Sequence, residues 1–107
     1  MTIVAVTAPG YSMDRDCYDE QRGIYDEPAL VTYQQAVDGE LGGGTDVDHS
    51  YADVYATFGD DISAQAAANA VKAKIESLIG SGVLARDRFA VIVGIGASRE
   101  EARAAAR

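Results

Sequence analysis

The stretch from Ser63 to Ile79 constrains the chain most. Ala64, Ala68, Val71, Ile75, Leu78 and Ile79 recur at i, i+4, i+7, i+11, i+14 and i+15, with Gln65, Asn69, Lys72 and Glu76 opposite. That spacing predicts an amphipathic helix whose apolar stripe has to be buried against another layer. Asp60, Asp61 and Ser63 supply acids and a cap at its start, and Gly80 supplies a stop.

The flanking segments read as strands, which makes the other layer a sheet. Thr2 to Ala8 is β-branched and stopped by Pro9-Gly10. From Ala29 to Val37, Val31, Tyr33, Gln35 and Val37 alternate with Leu30, Thr32, Gln34 and Ala36, predicting a second strand. From Ser50 to Phe58, Ala52, Val54, Ala56 and Phe58 alternate with Tyr51, Asp53, Tyr55 and Thr57, the pattern of one core face and one polar face. Arg88 to Ile95 predicts the last strand, with Phe89, Val91, Val93 and Ile95 pointing one way. Ser98-x-x-Glu101 is a capping box opening an alanine-rich helix. Asp38 to His49, with Gly42-Gly43-Gly44, reads as a turn or loop. Residues 12–22 read as a short helix capped by Ser12, or alternatively as an acidic loop.

The order predicts a single α+β domain spanning residues 1–107, of the ferredoxin-like split βαββαβ type with an extra C-terminal helix. If residues 12–22 are loop, the order becomes βββαβα, a partial ribonuclease H-like order. The first strand carries no carboxylate, which disfavours that alternative. Cys17 is the only cysteine, so neither an intramolecular disulfide nor a cysteine-based zinc site is expected. No apolar run reaches the roughly 18 residues of a membrane span, and the first has no basic leader. The expected setting is therefore cytoplasmic, away from membranes.

Charge divides the chain. Residues 14–61 hold 13 acids against Arg15 and Arg22, a balance of −11, and residues 62–107 hold seven bases against four acids, +3. The acidic half would repel phosphates, so direct nucleic-acid binding is not expected. Asp14, Asp16, Asp19, Glu20, Asp26 and Glu27 instead form a candidate surface for a basic protein partner.

Other candidate sites follow from residue type. Asp46, Asp48 and His49 are potential ligands for a divalent cation, the one cofactor the sequence suggests, though their spacing fits no standard calcium loop. Cys17 and His49 are the candidates for a thiol nucleophile and its base. Gly94, Gly96, Ser98 and Arg99, at a strand-to-helix junction, are candidates for binding an anion. The third glycine of a dinucleotide fingerprint is missing, which argues against a nucleotide. Tyr33, Tyr51 and Tyr55 would share the open sheet face and mediate homo-oligomerisation. Together these features favour a non-enzymatic binding or assembly protein, in a special case an inhibitor that mimics nucleic acid. The alternative is a small enzyme or ligand-binding protein with an Asp/His/Tyr-lined pocket at a dimer interface.

Overall fold

The computed structural model describes residues 1–12, 18–19, 24–25 and 27–107, with side chains for 1–12 and 28–107. Strand β1 (Thr2–Thr7) opens the chain. Two short strands, β2 (Tyr18–Asp19) and β3 (Ile24–Tyr25), pair with each other in a separate ladder. Helix α1 (Glu27–Glu40) follows, then the hairpin of β4 (Thr45–Ser50) and β5 (Asp53–Phe58). Next come the long helix α2 (Asp61–Gly80), the short helix α3 (Arg86–Phe89), strand β6 (Ile92–Gly96) and helix α4 (Arg99–Ala104). The described residues thus form a small α+β fold with a four-stranded antiparallel sheet in the order β4-β5-β1-β6, together with four helices.

Helix α1 replaces the strand expected over residues 29–37. Its alternating apolar residues satisfy two periods, and the helical one wins. Tyr33, Val37 and Leu41 lie on one helical stripe and are fully buried, whereas Val31, which the expected strand placed on the same face as Tyr33 and Val37, is 46% exposed. Pro28 sits in the first turn, where its missing N–H is not needed. The predicted split βαββαβ order and its βββαβα alternative both placed a strand at 29–37, and both lose it. The predicted helix over 12–22 lies largely outside the described residues.

Strand β4 forms where a loop was expected. Thr45 pairs with Thr57, Asp48 with Tyr55, His49 with Val54 and Ser50 with Asp53, and a bulge lies between Thr45 and Asp48. All six residues are exposed, so no apolar alternation marks the strand in the sequence. The predicted strand from Arg88 begins later, at Ile92, because Arg86–Phe89 closes into a helical turn that still buries Phe89.

Helix α2 follows the apolar stripe, burying Ala64, Ala67, Ala68, Val71 and Ile75. The Asp60 side chain caps it by accepting a hydrogen bond from Ser63 N at 2.7 Å. Gly80 remains helical. The left-handed residue is Gly82, with φ +81, where Gly82 N bonds Ile79 O and Val83 N bonds Leu78 O in a Schellman closure.

Register divides the sheet into two faces. Val4 and Val6 pair with Ala56 and Val54 on β5, and with Ile95 and Val93 on β6. This face packs with α1 and α2 into one apolar core. The other face carries Ala5 and Thr7, Tyr55 and Asp53, and Gly94 and Gly96. Helix α4 lies over it: a Cβ on Gly94 would stand 2.1 Å from Ala102 O, and one on Gly96 would stand 2.6 Å from Ala102 N. The two glycines therefore admit a helix directly onto the strand, and Ala102 is fully buried there.

Candidate functional site

The polar groups converge where α4 meets the hairpin. Asp53 opens β5 on the α4 side of the sheet, and Tyr55 follows two residues later on the same side. Arg99 and Arg103 are spaced i, i+4 on α4, so both reach the sheet from one helical face. Arg103 Nη1 donates to Asp53 Oδ2 at 3.3 Å and to the Tyr55 hydroxyl at 3.2 Å. Arg99 Nη1 donates to Asp48 Oδ2 at 2.9 Å, and its guanidinium lies 4.7 Å from the Tyr55 ring centroid. The Thr7 hydroxyl donates to Asp53 Oδ1. Arg103 is held further toward its charged form, first by the Tyr55 hydroxyl and then by the Asp53 carboxylate.

Beside this cluster is an open pocket of about 340 Å³ lined by Thr7, Ala8, Pro9, Tyr11, Ser50, Tyr51, Ala52, Asp53 and Arg103. Its rim is the two-residue turn of the β4–β5 hairpin. Tyr51 there has φ +55 and is 52% exposed. A bulky residue in the left-handed region is a backbone outlier. Two α1 side chains hold the turn: Gln34 Nε2 donates to Tyr51 O at 2.9 Å, and the Tyr33 hydroxyl donates to Ala52 O at 2.7 Å.

The predicted site residues are dispersed. Tyr33 is buried in α1, Tyr51 is in the turn and Tyr55 lies beneath the α4 arginines, so the three do not share an open face. Tyr33 leaves the expected surface because residues 29–37 are helical, and α4 covers part of the face itself. Asp48 and His49 are neighbours on one strand and point to opposite sides. Asp48 meets Arg99, while His49 Nε2 lies 3.3 Å from Asp38 Oδ2 on the α1 side. Asp46 sits in the bulge with φ +52. Strand alternation thus separates the expected metal ligands, and no cluster of three or more potential ligands exists among the described residues.

At the expected anion site, the chain satisfies its own donors. Glu101 N donates to Ser98 Oγ at 3.1 Å and Ala97 N to Glu101 Oε2 at 3.1 Å, while Arg99 is engaged by Asp48. Gly94 and Gly96 serve the packing of α4. Cys17, the expected partner of His49, lies outside the described residues, as do Asp14, Asp16, Glu20 and Asp26. Asp19 lies in β2, and Glu27 is the first residue of α1.

Sequence reasoning missed Thr7, Tyr11, Asp53 and Arg103 as members of one site. The available signal was the i, i+4 arginine pair in an otherwise alanine-rich helix, opposite a strand with polar residues on alternate positions. No family model, curated protein or solved structure matches the chain.

Proposed function

We propose that the protein is a binding module whose acidic surface docks a basic partner. The observation that carries this reading is the hairpin edge. Strand β4 is exposed along its whole length and presents Asp46, next in sequence to the end of α1 with Glu40, while Asp48 and Asp38 are paired with Arg99 and His49. No lysine or arginine occurs between positions 38 and 49. Carboxylates at a helix C-terminus add to the negative end of its dipole, and α1 has no basic residue in its last turn. In this reading the charge of Glu40 and Asp46, together with the end of α1, steers a cationic surface. Further acids at Asp14, Asp16, Asp19, Glu20, Asp26 and Glu27 extend the charge in sequence. The sheet order with α1 and α2 on one face supports the split βαββαβ reading, a scaffold that presents its hairpin at a sheet edge. In its sharpest form the partner is a nucleic-acid-binding protein whose groove the acidic surface occupies.

The test is fluorescence anisotropy with a labelled arginine-rich peptide at low and physiological salt. Glu40→Gln with Asp46→Asn should weaken binding and flatten its salt dependence. Asp87→Asn with Glu100→Gln removes the same charge elsewhere and should change binding little. Equal losses from both pairs would show a response to net charge alone and remove the docking surface.

A further inference from the structure

Beyond the acidic surface, we propose that the pocket between the β4–β5 turn and α4 binds a free apolar α-amino acid as its zwitterion, the ammonium on Asp53 and the carboxylate on Arg103. Opposite charges line one opening of about 340 Å³, within the range of small-ligand sites. Among the described residues, Asp53 accepts one hydrogen bond on each oxygen, from Thr7 and from Arg103. A carboxylate has about four acceptor sites, so capacity remains for an ammonium. Both contacts of Arg103 among the described residues come from Nη1, and a guanidinium has roughly five N–H donors, so Nε and Nη2 are the donors assigned to a ligand carboxylate. A lone cation would compete with Arg103 for Asp53, and a lone anion would meet Asp53. A molecule carrying both charges complements the pair. Tyr11, whose ring also packs against Phe89, and the half-exposed Tyr51 line the same pocket and are the residues an apolar side chain would meet.

The backbone supplies an independent argument. The first position of a two-residue hairpin turn with positive φ is where glycine is the usual occupant, yet this chain places a half-exposed tyrosine there. Tertiary hydrogen bonds from Gln34 and Tyr33 hold the turn at Tyr51 O and Ala52 O. A locally unfavourable residue held in place at a pocket rim is the pattern of a functional position.

The test is an NMR titration of the full chain with L-leucine and L-phenylalanine, and with L-leucinamide and N-acetyl-L-leucine, which each lack one charge. Saturable shifts at Thr7, Ser50 to Asp53 and Arg103 are expected with the free amino acids, weakened at least about tenfold when either charge is blocked. Tyr51→Gly should keep or raise the melting temperature while weakening leucine binding, which separates the site from simple stability. Absence of saturation by either amino acid up to about 10 mM overturns the proposal. So does leucinamide binding as tightly as leucine, or unchanged leucine binding by Tyr51→Gly. Because Glu40→Gln with Asp46→Asn leaves this pocket intact, amino-acid binding and peptide docking can fail separately.

Discussion

Tyr33 shows how one side chain serves two layers. Its ring fills the core 5.3 Å from the Phe89 centroid, and its hydroxyl holds the hairpin turn through Ala52 O. Burial, then the nearby Asp53 charge, pushes its phenol above the usual 10.0. The folded state therefore holds the proton where the unfolded state releases it. That contribution is complete below about pH 10 and is lost as pH rises above it, by about 1.4 kcal/mol per unit until the folded group also ionises. Tyr33→Phe should flatten the alkaline limb of a denaturant-midpoint profile. At neutral pH it should cost about 1–3 kcal/mol, because Ala52 O loses a buried donor. Gly94 is constrained from the opposite face. Gly94→Ala drives a methyl group into the α4 backbone and should destabilise by about 1–3 kcal/mol in urea unfolding, with α4 becoming the earliest site of proteolysis.

Among the elements, α2 carries the largest predicted contrast. Val71→Asp or Ile75→Asp buries an unpaired carboxylate in the core stripe and should cost more than about 3 kcal/mol by thermal or chemical denaturation. Lys72→Asp lies on the exposed side and should cost less than about 1 kcal/mol. This helix was legible because sixteen consecutive positions from Ala64 to Ile79 support only one period. Helix α1 was not, since over residues 29–37 the same apolar residues fit both a two-residue and a 3.6-residue repeat, and packing against α2 decided between them. Strand β4 was hidden for the opposite reason: an exposed edge strand has no apolar face to show a pattern. Within the site, the polar alternation of Asp53 and Tyr55 was legible. The positions that complete it come from β1, the following loop and α4, and only the folded chain brings those three segments together.

At the scale of the whole molecule, the arrangement of charge across the sheet has a consequence for assembly. Strand β4 contributes no buried residue, so apolar burial alone cannot fix how it aligns with β5. A shift by one residue exchanges the two faces of a strand. In the native alignment Asp48 faces Arg99 and His49 faces Asp38. A slip in one direction would set Asp48 against Asp38 and leave Arg99 facing Val47, and a slip in the other would set His49 against Arg99 and leave Asp38 facing Ser50, so either slip loses both native pairs. The adjacent acid and base on the outermost strand thus work as a two-sided key, which lets a fully hydrated edge recognise its own register.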